Sequence, residues 1–277
     1  MDLDRKCRAN EGDIMTDRLQ HLFNLEGKTA VVTGGSRGIG EMIAEGFVDA
    51  GASVIMTARK VEALHATAER LVAKGGDVTA IPGDLSTPEG ITAFADEVKG
   101  QVDTLDILVN NAGATWGGTL GAYPVEGWDK VMNVNLRSVY YLTEALIDHL
   151  RSAGTPDDPA RVINIGSVDG LRACDVEHYA YSTSKAAVHH LTRQLARRLR
   201  HENVVVNAIA PGPFESKMLA FALRDEEARA SVAAEVPVGR IGVPDDMAGA
   251  SIFLASRAGA FLTGVTIPVG GGMGTAD

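Results

Sequence analysis

Cysteine is almost absent: the 277-residue chain has two, Cys7 and Cys174. One falls in a polar N-terminal stretch and the other in a loop, so no disulfide framework is expected, and Cys174 is read as inert. A reducing cytoplasm is the expected setting. Long apolar runs are also missing. None reaches the roughly 18 residues that span a bilayer. The N-terminal MDLDRKCRANEGDIMTDRLQHLFN carries acids where a signal peptide would carry an apolar stretch. There is no excess of positive charge, since 36 acidic residues outweigh 26 Lys and Arg to give −10 at pH 7. That balance argues against nucleic acid or an anionic membrane as the main partner. No linker rich in Pro, Gly or Ser divides the chain, no internal repeat is found, and no metal site is assigned.

What is present alternates. Short runs that are apolar throughout, TAVVT (29–33), ASVIMTA (52–58), VTAIPGD (78–84), LDILVNNAG (105–113), RVINIGS (161–167), NVVVNAIAPG (203–212) and VTIPVGGG (265–272), read as strands buried on both faces. Helical patterns lie between them, near 39–50, 60–74, 88–100, 125–152, 179–201 and 244–256. This order predicts an α/β fold: a Rossmann-type doubly wound parallel sheet of about seven strands, helices on both faces, in one domain. Residues 1–24 read as a flexible extension without a sustained period, and 25–277 as the domain. The segment 213–240 breaks the alternation after a strand's C-terminal end, where such sheets bind ligands. It is expected to be a substrate lid.

Three motifs carry chemistry. TGGSRGIG (33–40) follows the first strand and opens the first helix of the domain. Its glycines, Gly34, Gly38 and Gly40, would let a diphosphate approach backbone N–H groups at a helix N-terminus. The second strand ends in MTARK, which lacks the carboxylate that usually holds a ribose 2′-hydroxyl. Arg59 stands there instead, and Arg37 lies inside the glycine loop. Two guanidiniums suit a 2′-phosphate, so NADPH/NADP+ is expected over NADH. In YAYSTSK (179–185), Tyr181 and Lys185 are four apart and share a helical face, while Tyr179 does not share it. An ammonium beside a phenol favours the phenolate, and Lys185 is therefore expected to lower the Tyr181 pKa.

With NNAG (110–113), Asn135 in NVNL, Ser167 in INIGS and Pro211–Gly212 following in order, residues 25–274 resemble the short-chain dehydrogenase/reductase family. The resemblance implies a catalytic set of Asn135, Ser167, Tyr181 and Lys185. Tyr181 would be the general acid and Ser167 would hold the same carbonyl oxygen. Lys185 would hold nicotinamide ribose hydroxyls, and Asn135 would anchor a water leading to Lys185. It further implies cofactor contacts from Gly34, Ser36, Arg37, Gly38, Ile39, Gly40, Arg59, Asp84, Leu85, Asn111, Ala112, Gly113, Pro211, Gly212 and Ser216. Asn110 would tie neighbouring strands. Ser216 stands where the family usually has Thr, and Gly270 where many members have Asp or Asn, a change expected to loosen a C-terminal subunit contact.

Within the family the chain resembles the β-ketoacyl reductases, including their rhamnolipid-synthesis branch. The matching stretches are WGGTLGAYPVEGWDKVM (116–132), PARVINIGSVDG (159–170), YAYSTSKAAVHHLTRQLA (179–196) and IAPGPFESKM (209–218). This implies reduction of a 3-oxoacyl thioester on acyl carrier protein or coenzyme A, by a homotetramer or homodimer. Reduction of another ketone (a steroid, sugar or xenobiotic) uses the same residues and stays open, as does a non-catalytic dinucleotide-binding role. Trp116 either walls the acyl site or fills its loop.

Overall fold

The seven strands are laid side by side in the order β3-β2-β1-β4-β5-β6-β7, all parallel. The computed structural model describes residues 17–216 and 224–275. Part of the expected extension (1–16), Cys7 and part of the expected lid (217–223) lie outside them. The strands are β1 (Thr29–Thr33), β2 (Ser53–Thr57), β3 (Val78–Ala80), β4 (Ile107–Asn110), β5 (Ala160–Ile165), β6 (Val204–Pro211) and β7 (Thr266–Val269). All seven expected strands form, with trimmed ends. The sheet divides the core in two because side chains alternate along each strand. On one face Ala30, Val32, Met56 and Ile209 meet α2 (Gly38–Asp49), α3 (Val61–Ala73) and α10 (Pro244–Ala255). On the other, Val31, Ile55, Leu108 and Val206 meet α4 (Pro88–Gln101), α6 (Ser138–Ala145), α7 (Ile147–Ala153) and α8 (Tyr179–Leu199).

Strand order reverses between β1 and β4. The connections after these strands leave in opposite directions, which opens a crevice at their C-terminal ends. Local signals start the helices that frame it. Thr87 caps α4 by accepting the Gly90 N–H at 3.1 Å, with Pro88 following at the first helical position.

The structure breaks one expected helix and adds two that the sequence pattern does not show. Residues 17–23 are helical (α1) and not irregular. The pattern at 125–152 is broken into α5 (Val125–Met132), a π-turn (Asn133–Arg137), α6 and α7. Within 213–240, Glu226–Ala234 forms α9, which Asp225 caps by accepting the Ala228 N–H at 2.7 Å.

Opposite the crevice, a buried ion network closes the N-terminal edge of the sheet. Lys28 Nζ lies 2.9 Å from both Asp106 and Asp158, and Asp158 also takes the guanidinium of Arg161, whose side chain is 2 % exposed. Arg161 donates further to Pro159 O and to Ser256 O. Burial would raise the Asp158 carboxyl pKa, but the bonds from Lys28 and Arg161 outweigh it and hold it low. A depressed carboxyl contributes stability above its unfolded pKa and loses it as pH falls through the folded one. Asp158→Ala leaves Arg161 buried without its carboxylate and should cost about 3–5 kcal/mol at neutral pH, with a smaller cost in acid. Urea unfolding at two pH values checks both.

Candidate active site

Two strand ends and one helix build the site. After β5, Gly166 and Gly170 have no side chains to hold α8 away. A Cβ at Gly166 would lie 2.0 Å from His189 Nε2, and one at Gly170 would lie 2.7 Å from the Ala186 nitrogen. The close approach lets Lys185 Nζ donate to Ile165 O at 2.7 Å, at the end of β5. Lys185 is 4 % exposed and Ser167 5 %. One turn before Lys185, the Tyr181 ring lies with its centroid 5.7 Å from that ammonium. Tyr179 points elsewhere, into an aromatic group with Tyr123 (6.0 Å), while its hydroxyl donates to Glu177. The question of which tyrosine shares the lysine's face is thereby answered by geometry.

Asn135 sits in the π-turn and is 1 % exposed. Its Oδ1 accepts the Ala114 N–H at 2.8 Å, and its Nδ2 donates to Ala114 O and to Ser184 Oγ, both at 3.0 Å. Ser184 in turn donates to Tyr181 O at 2.7 Å. The amide therefore ties the loop after β4 to the first turns of α8. Ser184 was not singled out in the sequence, although it lies inside the same motif.

Electrostatics correct one expectation. Burial, not Lys185, dominates Tyr181: its phenol is pushed up to about 12, with a hydrogen bond from Ser167 pulling the other way and the charges of Asp169 and Cys174 adding to the rise. Burial likewise brings Lys185 down to about 8. The phenol is thus a proton carrier that stays loaded at working pH, beside an amine close to its own titration.

The glycine loop flanks this group. Gly34 and Gly38 have φ of 66° and 56°, values that favour glycine, and a Cβ at Gly40 would sit 2.2 Å from Gly34 O. Thr33, unremarked in the sequence, fastens the loop to the NNAG segment: its Oγ1 accepts the N–H groups of Asn111 and Ala112, both at 2.9 Å. The Asn111 side chain donates to Thr33 O and Gly34 O, so it holds the loop in place. Asn110 joins β4 to β5 by donating to Asn164 Oδ1 at 2.9 Å, the strand-tying role expected of it. The Leu85 side chain belongs to the core, so it is the backbone there that faces a ligand. Asp84 is exposed, with Oδ1 accepting the Ser86 N–H. Ser36 and Ile39 are half-buried along the loop, and Ile39 packs against the core.

Arg37 and Arg59 are both exposed, and among the described residues neither guanidinium has a partner. Pro211 ends β6, Gly212 follows, and Ser216 comes against the loop, its Cβ 3.1 Å from where a Gly38 Cβ would stand. At Gly113 an added Cβ would meet Asn135 Oδ1 at 3.5 Å and Lys185 Nζ at 3.8 Å. A floor of glycines, two free guanidiniums and a lysine at the far end fit a phosphorylated dinucleotide lying across the strand ends.

A family model described as Enoyl-(Acyl carrier protein) reductase matches residues 34–274. The chain belongs to the short-chain dehydrogenase/reductase family. One relative in this family is the rhamnolipids biosynthesis 3-oxoacyl-[acyl-carrier-protein] reductase of Pseudomonas aeruginosa, 49% identical over 250 residues, covering 90% of this chain and 97% of the relative. The 3-oxoacyl-[acyl-carrier-protein] reductase FabG of Vibrio cholerae is 38% identical over 91% of this chain and 99% of its own. A solved structure, the Pseudomonas aeruginosa RhlG/NADP active-site complex, superposes with a TM-score of 0.89 at 48% identity, covering 92% of this chain and 99% of that one.

Against the short-chain dehydrogenase/reductase pattern, the glycine at 270 has a local reason. A Cβ there would lie 2.8 Å from Val168 Cγ1, and the chain beyond it folds back, with Gly270 O accepting the Met273 N–H at 3.2 Å. Trp116 covers Gly127 and has Lys130 Nζ 5.2 Å from its ring centroid, so it closes its loop while 37 % exposed.

Proposed function

We propose that the chain is an NADPH-dependent oxidoreductase that reduces the keto group of a 3-oxoacyl thioester, carried by acyl carrier protein or coenzyme A, to the 3-hydroxyacyl thioester. The observation that carries this reading is the gathering of Ser167, Tyr181 and Lys185 at the strand ends beside the glycine loop. The 49% identity to a 3-oxoacyl reductase favours the substrate class over other ketones.

Bound NADPH supplies the hydride. The protein's own residues handle the proton and hold the reactants. Tyr181 Oη gives its proton to the carbonyl oxygen as negative charge develops there, and the Ser167 hydroxyl donates a hydrogen bond to the same oxygen. Lys185 binds ribose hydroxyls and helps return a proton to the phenol. Asn135 spends its side chain on Ala114 and Ser184, so its part is to position Tyr181 and Lys185. Gly34, Ser36, Gly38, Ile39 and Gly40 cradle the diphosphate, and Arg37 and Arg59 take the 2′-phosphate. Asp84 and the Leu85 backbone border the adenine. Asn111, Ala112 and Gly113 flank the ribose, and Pro211, Gly212 and Ser216 close over the nicotinamide end.

The subunits would assemble as a homotetramer or homodimer in the cytoplasm. Tyr140 and Tyr141 on α6 and Phe261, which is 103% exposed, supply apolar surface for such contacts. Light scattering after gel filtration measures the assembly directly.

The test is oxidation of NADPH with acetoacetyl-coenzyme A, then with a longer 3-oxoacyl thioester on each carrier. Turnover that rises with chain length supports the reading. NADPH binding without reduction of any thioester would remove the substrate assignment. A pH profile adds a second check. Tyr181 stays protonated to about 12 and Lys185 stays charged only to about 8. For reduction, kcat/KM for NADPH should therefore be flat below neutrality and fall above about pH 8, as the ammonium is lost.

A further inference from the structure

Three donor groups that the proposed reduction does not use converge beside Tyr181. Asp169 and Cys174 lie in the segment after Ser167, and His178 immediately precedes α8. Cys174 Sγ is 3.0 Å from His178 Nε2, and Asp169 Oδ2 is 3.5 Å from the same nitrogen. The three donor atoms all lie within 4.8 Å of one another, and each residue is half-buried. Cys174, read as inert in the sequence, does not stand alone.

The geometry is not that of a proton relay. A Cys-His-Asp relay uses both ring nitrogens, one toward the thiol and one toward the carboxylate. Here a single nitrogen faces both. One sulfur, one ring nitrogen and one carboxylate oxygen face a single place, a donor set open to a cation once the thiol gives up its proton.

We propose that Asp169, Cys174 and His178 form a binding site for Zn2+ or a similar borderline-soft divalent cation, and that metal bound there inhibits reduction. The donor set of one sulfur, one nitrogen and one oxygen is of the type zinc accepts, with a fourth position left for water. One carboxylate alone would be a poor site for Ca2+ or Mg2+, which take oxygen ligands. With Zn–S of about 2.3 Å and Zn–N of about 2.0 Å, tetrahedral donors are about 3.5 Å apart; Asp169 to His178 matches that at 3.5 Å, and Cys174 to His178 is shorter at 3.0 Å. On binding, the Cys174 proton passes to solvent and the sulfur–metal bond forms, with no change of oxidation state.

The inhibitory part rests on the reductase reading. The His178 ring centroid lies 5.1 Å from that of Tyr181. Asp169 donates its backbone N–H to Ser167 Oγ at 3.1 Å. A metal would therefore clamp the Ser167 loop to the start of the helix that carries Tyr181 and set positive charge beside the proton donor.

Titration of the full, untagged chain with Co2+ tests the site without turnover. One equivalent should bind and give thiolate-to-cobalt charge-transfer absorption. Zn2+ should displace it. Cys174→Ser and His178→Gln should abolish the band, and Cys7→Ser should keep it. In the turnover assay, inhibition by Zn2+ should weaken at least about tenfold in Cys174→Ser, with its metal-free rate near wild type. No charge-transfer band, or a band that survives Cys174→Ser, overturns the site. Loss of the band with unchanged Zn2+ inhibition overturns the inhibitory role and leaves the reductase reading intact.

Discussion

Tyr181→Phe should lower reduction of a 3-oxoacyl thioester by about 10²–10⁴-fold, the range for losing a positioned general acid, and leave NADPH affinity nearly unchanged. The substitution removes one hydroxyl and keeps the ring, which packs against His178 and faces the Lys185 ammonium. The helix is held independently, by Lys185 on Ile165 O and by Ser184 and Asn135 on the loop after β4. Cofactor fluorescence should thus titrate as in the wild type while turnover collapses. The variant has no hydroxyl at this position to give or take a proton, so no pH in the working range should restore the rate. A variant that retains more than a tenth of wild-type activity would show that the proton comes from elsewhere and would sink the mechanism, not the fold. Loss of NADPH binding together with rate would instead show that the hydroxyl shapes the cofactor site.

The strands were legible because their chemistry is local. Runs such as AVV in β1 and VIM in β2 are buried on both faces, and continuous apolarity is what that environment demands. The glycine loop was legible for a similar reason, since the positive φ at Gly34 and Gly38 favours glycine. Helix α9 was missed because it contributes no buried residue, so it has no apolar stripe to read. Its one signal was the capping Asp225 followed by two acids in the first turn. The π-turn around Asn135 leaves the apolar spacing nearly intact and alters the backbone pairing, which a side-chain pattern does not report. Thr33 escaped because its partners Asn111 and Ala112 lie on another strand's end. The same holds for the Tyr181 pKa. Spacing correctly paired it with Lys185, but burial, which depends on the whole fold, decided the direction of the shift.

The second large effect concerns Arg37 and Arg59. Replacing both with Ala should reduce the preference for NADPH over NADH, measured as the ratio of kcat/KM values, by up to about 10²-fold. Each charge-assisted hydrogen bond contributes about 1.5–3 kcal/mol, and each 1.4 kcal/mol is about tenfold. Both side chains are exposed, so screening favours the lower end. Two bonds to one phosphate also share a partner and need not add. The single variants should therefore each lose about tenfold or more, the double somewhat less than their product. Turnover with NADH should barely change, because a 2′-hydroxyl offers the guanidiniums no full charge to meet. Neither arginine has a protein partner among the described residues, so their removal orphans nothing and should leave the unfolding midpoint in place. Rising salt should weaken NADPH in the wild type more than in the double variant, since it screens only an attraction that the variant lacks. An unchanged cofactor ratio in the double variant would mean that the 2′-phosphate is held by other groups, and that a missing carboxylate at the end of β2 permits the phosphate without the arginines selecting it.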